Sequence, residues 1–276
     1  MEGPLKSDPG NEIWCSAVIR YAADKKGRFA LEVKLLTYTP NPERVIASAA
    51  KCCYSAKDPF TLYNELTDQE VEHMVKHLLE SQHTSPIEHA NFTFTIKGLS
   101  RAASQQLTRH RHMSTSMQSQ RYVDMNNVPF TVPSGIIFNA SKNLPSAKDI
   151  FFGVLKAAND AYTCLVHKYG VAKEDARAIL PICAQSNLMI TLNAAELYHI
   201  FDLRCCVRAQ GEFRELADEM LKLCKKVAPI LFSKAGASCV HYGYCPEGKQ
   251  SCGKAPTLSK LLEVYHTFLQ GKGVAK

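Results

Sequence analysis

The sequence predicts an α+β fold, a central β-sheet flanked by helices, and three observations carry that expectation. Apolar stripes of helical period outnumber alternating runs, yet both are present. With 276 residues, 46% of them hydrophobic and 21% charged, the chain can bury a substantial core. No linker rich in Gly, Ser or Pro, internal repeat or low-complexity tract divides it, so one domain over residues 1–276 is expected.

In chain order, Met1 to Gly10 is polar, contains Pro and Gly, and is unlike an export signal. The Ala-rich run between Pro42 and Ser55 reads as a helix. A second helix starts at Thr67 with Glu70 as its capping-box partner, and Val71, Met74, Val75, Leu78 and Leu79 form its apolar stripe. His73 and His77 share a face of this helix with Glu80 nearby, a spacing open to a metal, but the H-E-x-x-H pattern is missing and a solvated face is expected. After Pro86, Phe92, Phe94 and Ile96 alternate with Thr93, Thr95 and Lys97, which predicts a strand with one buried face. A polar helix from about Leu99 to His110 follows. Ser146 and Asp149 open a long helix that runs to Tyr169 and stops at Gly170. Lys173 to Leu180 is a short helix ended by Pro181, and Leu188 to Leu192 a strand. Ala194 to about Lys226 is helical with a break near Gly211, and Thr257 to Leu269 is a last amphipathic helix.

Charge and cysteine content narrow the function. The 33 Lys and Arg against 26 Asp and Glu give +7, which suits anionic ligands without amounting to a nucleic-acid tail. With only 9% aromatic residues, most at apolar-stripe positions, a nucleic-acid platform is disfavoured. No run approaches the roughly 20 apolar residues of a membrane span, so a cytoplasmic protein is expected. Eleven cysteines, with adjacent pairs at Cys52-Cys53 and Cys205-Cys206, are then expected as reduced thiols. Near the end, Cys239, His241, Cys245 and Cys252 gather within fourteen residues beside Gly243, Gly248 and Gly253. They are weak metal candidates, since their spacing fits no C-x2-C pair. No metal is expected.

The densest local chemistry is Arg109-His110-Arg111-His112, followed by Ser114, Thr115, Ser116, Ser119 and Arg121. Guanidinium forks with hydroxyls and loop amides are suitable equipment for gripping a nucleotide. Arg109 to Ser119 also spells RHR-x7-S and continues into Arg121-Tyr122, and here the chain resembles the flavin-dependent thymidylate synthases. Gln106 precedes the motif as in that family, and His83, Ser85, Pro86, Glu88 and His89 match its H-x-S/T-P-x-E-H segment. Downstream, Ala176-Arg177-x-x-Leu180-Pro181 and the spaced Asn193, His199, Leu203, Arg204, Arg208, Gln210 and Glu212 match as well. The resemblance covers roughly residues 40 to 230. An N-terminal segment, about 1–39, and a Cys-rich C-terminal extension, about 237–276, are unmatched.

The resemblance implies methylation of dUMP to dTMP, with methylenetetrahydrofolate as carbon donor and FAD-mediated hydride transfer from NADPH. It implies FAD contacts from Ser85, Arg109, His110, Arg111, Asn193 and His199. It implies a dUMP site of Gln106, Arg109, Ser119, Gln120, Arg121, Arg177 and Arg204, in a homotetramer whose Ser119–Arg121 loop reaches a neighbouring subunit's site. As the uracil attacks through C5, negative charge grows on N3 and the carbonyl oxygens, and a guanidinium there stabilises it. Arg204 is the catalytic candidate. The family uses no essential protein nucleophile for methylation, so none of the cysteines is assigned that role. Three positions depart from the family pattern. Ser116-Met117 stands where Asn-Glu is frequent, Ala195 where an arginine contacts flavin, and Gly211 where an aromatic is usual. These departures motivate the alternative of a catalytically silent relative that binds nucleotide or flavin as a sensor or interaction protein.

Overall fold

A computed structural model of the chain describes residues 31–137 and 146–271. The first ten residues, and most of the unmatched N-terminal segment, lie outside them. In chain order the elements are β1 (Glu32–Tyr38), α1 (Pro42–Cys52), α2 (Pro59–Glu65), α3 (Asp68–Glu80), β2 (Asn91–Ser100), α4 (Arg101–Leu107), β3 (Met113–Met117) and α5 (Ser134–Ile137). Then come α6 (Ala147–Thr163), α7 (Lys173–Ala176), β4 (Gln185–Asn193), α8 (Ala194–Arg204), α9 (Gly211–Val227), α10 (Ser238–His241) and α11 (Leu258–Gly271). The α+β expectation is borne out. The four strands form one antiparallel sheet in the order β1-β2-β4-β3.

The alternation read in Phe92, Phe94 and Ile96 sets the register of the sheet's centre. These three pair with Leu192, Ile190 and Leu188 of β4, and all six side chains are buried on one face. Each such burial is worth about 1.5–3 kcal/mol against exposure. Helices α1, α3, α8 and α9 supply the other side of this core, including Ile46, Val75, Phe201, Phe213 and Met220. On the opposite face Thr93 and Thr191 share a hydroxyl hydrogen bond of 2.9 Å. A second cluster joins α6 to the segments around it through Leu155, Tyr162, Met125, Phe130 and Ala184.

Caps account for most boundaries. Thr67 and Glu70 form the expected capping box of α3, as do Ser146 and Asp149 for α6. Gly170, with φ of 66°, follows a π-helical turn over Cys164–Lys168 and ends the long helix as expected. One expectation is corrected. The helix expected from Leu99 to His110 covers only Arg101–Leu107, because Leu99 and Ser100 still pair with Ser186 and Gln185 and Ser100 caps the helix by accepting from Ala103 N. The break expected near Gly211 is present, running from Cys205 to Gln210, with Gly211 the first residue of α9.

Five elements were not foreseen, each lacking an apolar period: β1, α2 and β3, and the single turns α5 and α10. β1 is an edge strand whose register shifts between Leu35 and Thr37, leaving Leu36 60% exposed and blurring the alternation. In α2, Asp58 caps a seven-residue turn that buries only Leu62. β3 is built from Ser114, Thr115 and Ser116, which the sequence presented as loop hydroxyls.

Candidate active site

Topology brings distant motifs to one end of the sheet. β2 begins at Asn91 opposite Asn193, where β4 ends and α8 starts, and β3 begins at Met113 opposite Leu192. The Arg109–His112 link before β3, the Ser85–His89 3-10 turn before β2, and the first turns of α8 are thereby neighbours. The 3-10 turn packs on α8, and Ala194 N donates to Ala90 O. Asn193 caps α8 through its Oδ1, accepting from Glu196 N at 2.9 Å. Ser85, Arg109, Arg111 and His199 are exposed here and Asn193 half-buried.

His110 differs from its motif neighbours by being buried at 5% exposure. Its Nε2 accepts from Arg204 Nε at 3.2 Å, and its Nδ1 stands 3.4 Å from Glu196 Oε1. Burial first, then the nearby Arg204 and His199, push its pKa from 6.5 down to about 4. The ring is neutral, the proton belongs on Nδ1 facing Glu196, and the contact is a long polar one, not an ion pair. The His199 ring lies edge-on at 5.5 Å. Ligand atoms of His110, Glu196 and His199 all fall within 4.8 Å of one another, the arrangement most open to a metal among the described residues. A cation there would face the Arg204 guanidinium bonded to the same ring, so positioning is the better use of the trio. His73, His77 and Glu80 form no such group, both histidines being exposed on α3.

Arg204, the last residue of α8, is thus held on one side by His110, and its Cζ lies 4.6 Å from the Phe213 ring centroid on α9. Burial lowers its pKa. A buried carboxylate sets the neighbouring elements: Glu212 accepts from Ser100 N at 2.7 Å and Ser100 Oγ at 2.5 Å, which ties α9 to the start of α4. Burial raises its pKa against these hydrogen bonds. Gln106 on α4 donates to Gln210 Oε1 at 2.9 Å, so Gln106 and the Glu212 pair join the same two helices.

Ser119, Arg121 and Arg177 are bonded elsewhere. Ser119 Oγ accepts from Arg121 N at 3.2 Å, and its carbonyl accepts from Tyr122 N and Val123 N, closing a tight turn. Arg121 Nε and Nη2 reach Glu174 Oε2 at 2.9 and 2.8 Å, while Arg177 Nε donates to Glu174 O at 3.2 Å. Gln120 is buried, and its Nε2 has no hydrogen-bond partner. Sequence reasoning gave no role to Glu174, Glu196 or Phe213. The signal for Glu174 was its place three residues before Arg177 on a helix, and for Phe213 its adjacency to Glu212.

Residues 34–230 match the family model of the thymidylate synthase complementing protein. A flavin-dependent thymidylate synthase of Geobacter sulfurreducens is 43% identical over 233 residues, covering 84% of this chain and 97% of that one. The chain belongs to the flavin-dependent thymidylate synthase family. Another member, from Clostridium tetani, is 42% identical over 246 residues, covering 84% and 96% of the two chains. A solved structure of a UMP/dUMP methylase, PolB from Streptomyces cacaoi bound with 5-Br dUMP, is similar in fold, with a TM-score of 0.65 at 24% identity over 78% of this chain and 96% of that one. The resemblance read from the RHR-x7-S string and its flanking motifs is therefore borne out, and with it an enzyme of this kind. Among the described residues no helix is long and apolar enough to cross a membrane, and all ten described cysteines are free.

Proposed function

We propose that this family member methylates dUMP at C5 to give dTMP, taking carbon from methylenetetrahydrofolate and reducing power from NADPH through FAD. The observation that carries the reading is the preset Arg204, fixed by a neutral histidine and an aromatic face at the end of α8. A guanidinium so held stabilises charge as it develops on the uracil N3 and carbonyl oxygens, without reorganising during the reaction. Carbon–carbon bond formation at C5 then releases the C5 proton.

Ser119, Gln120, Arg121, Arg177, Gln106 and Arg109 are assigned to dUMP. The Ser119 hydroxyl and loop amides with the two cations Arg121 and Arg177 suit its phosphate. Gln120 Nε2 is a buried donor without a partner, as expected of a group kept for a ligand.

The donor set also fits FAD. Exposed Arg109 and Arg111 suit a pyrophosphate, and the start of α8 offers Asn193 and His199 beside Ser85. When bound, FAD supplies the hydride that converts the transferred methylene to methyl. His110 is assigned to positioning Arg204, not to touching the flavin, because its Nε2 is already engaged and its ring is buried. Ala195 removes one cationic contact that the family pattern supplies, leaving Arg109 and Arg111 as the cations assigned to the flavin. Met117 accepts a 3.2 Å contact from Arg101 Nη1 and pairs with Leu188 of β4, so this departure is absorbed structurally. No cysteine is assigned as nucleophile: burial pushes the Cys183 thiol up to about 11, and those of Cys205 and Cys224 higher.

The enzyme is proposed to act as a homotetramer in the cytoplasm, with the Ser119–Arg121 turn serving a neighbouring copy. The experiment is flavin absorbance of the purified protein together with tritium release from 5-labelled dUMP, given FAD, methylenetetrahydrofolate and NADPH. Release dependent on all three is expected. Bound flavin or dUMP without release would overturn the catalytic reading in favour of a silent relative.

A further inference from the structure

The Cys-rich extension holds an assembly that the methylation chemistry does not use. Sequence spacing grouped Cys239, His241, Cys245 and Cys252, but the structure divides that group. His241 Nδ1 lies 2.9 and 3.1 Å from the two Asp202 carboxylate oxygens, and its ring stacks on Tyr242 with centroids 4.4 Å apart. The three cysteines instead line a cavity of about 290 Å³, and a fourth thiol, Cys206 from the turn between α8 and α9, lines it with them.

We propose that Cys206, Cys239, Cys245 and Cys252 bind a soft divalent cation of the zinc class, which fastens the C-terminal extension to the turn that follows Arg204. Thiolate sulfur selects this class of cation and satisfies its tetrahedral preference with four ligands.

The extension is tied to α8 through Asp202, which accepts from Ser238 and Tyr242 and faces His241, but beyond that anchor little holds it. From Ala237 to Thr257 the only buried residue is Cys245. The segment bends through Gly243, Gly248 and Gly253, all at positive φ, and is closed at its base by Cys245 N donating to Pro256 O at 2.7 Å. Its ion pair to the α8–α9 turn, Arg208 to Glu247 at 2.6 Å, is solvent-exposed and worth about 0–1 kcal/mol. A loop-rich unit without an apolar core of its own is held by cross-links or a metal. All four thiols are free.

No three of the four sulfurs lie within 4.8 Å of one another, so binding requires the sulfurs to move together. Each thiol loses its proton as it binds: one dication and four thiols give a tetrathiolate with net charge of minus two and four released protons, with no change of oxidation state. Arg204 and Arg208 line the same cavity together with Asp202 and Glu247, Arg208 being paired to Glu247 and Asp202 facing His241.

The test uses the full-length protein purified without chelator under reducing conditions. About one zinc per chain is expected, and exchange for Co2+ should give the thiolate-to-cobalt charge-transfer band with tetrahedral visible bands. Cys206→Ser should cut metal content severalfold, while Cys53→Ser and His241→Ala should leave it unchanged. Stripping the metal from the unmutated protein should expose four further reactive thiols and open residues 237–257 to proteolysis, a readout that does not depend on variants folding. Absence of stoichiometric metal together with no charge-transfer band on adding Co2+ would overturn the proposal. So would disulfides among these cysteines by mass spectrometry, or binding that survives Cys206→Ser and is lost in His241→Ala.

Discussion

Two arginines assigned to the same substrate are held in opposite ways. Arg204 is packed between His110 and the Phe213 ring, partners contributed by the chain's own buried core. Arg121 projects from the turn after β3, with its side chain 51% exposed and paired to Glu174 at 48%. The first guanidinium is oriented before any ligand arrives, by groups that the core already holds in place. In the proposed site the second exchanges its carboxylate for a phosphate. A site that must stabilise growing charge benefits from the first arrangement, and one that must capture and release a phosphate from the second.

The largest expected effect breaks the preset side. Arg204→Ala should lower kcat by about 10²–10³-fold, with a smaller change in KM for dUMP. Arg204→Lys should not restore it, since an ammonium lacks the planar fork that bonds His110 while lying over Phe213. Recovery by lysine to within a few-fold in steady-state kinetics would show that charge alone suffices.

Stability should separate the two regions next. Glu196→Ala leaves the buried His110 Nδ1 without its facing oxygen and should cost about 1–3 kcal/mol in urea unfolding. Arg121→Ala removes a surface pair and should cost about 0–1 kcal/mol, yet weaken dUMP binding at least tenfold by calorimetry. Equal losses of stability would remove the distinction.

The pH dependence sharpens it. His110 takes its proton near 6.5 when unfolded and only near 4 when folded, so the unfolded chain binds more protons in between. Its contribution to stability is present above that window and is lost as pH falls through it. Unfolding free energy measured from pH 7 to 4 should therefore fall less steeply in His110→Gln, while Arg121→Ala should keep the parent slope. The smallest effect is expected from Glu174→Gln, which frees Arg121 and should tighten dUMP binding by a few-fold at most.

The sheet centre, the capped helices and the family motifs were legible because each leaves a local signal: alternation at Phe92, Phe94 and Ile96, a capping box at Thr67, fixed spacing from Arg109 to Ser119. β1, α2 and β3 were not, because an edge strand with a bulge, a seven-residue helix and a Ser/Thr strand are specified by their partners and not by a period of their own. The same holds within the site. Spacing identified His110 and Arg204, but that the histidine is buried, neutral and bonded to the arginine depends on where α8 and α9 pack. Glu196 and Phe213 acquire roles only through those contacts, and Cys206 joins the tail cysteines only once the tail folds back.

In the proposed assembly the preset Arg204 region of one chain works with the Ser119–Arg121 turn of another. The most direct test is to mix two impaired proteins, Arg204→Ala and Arg121→Ala, under conditions that exchange subunits and at a dUMP concentration well below the KM of Arg121→Ala, where neither parent gives appreciable release. If each site draws on two chains, tritium release from 5-labelled dUMP should return to roughly a quarter of the parent rate, the share of sites that random pairing makes whole. If no activity returns although exchange is demonstrated, both regions serve a site within one chain and the claim is wrong.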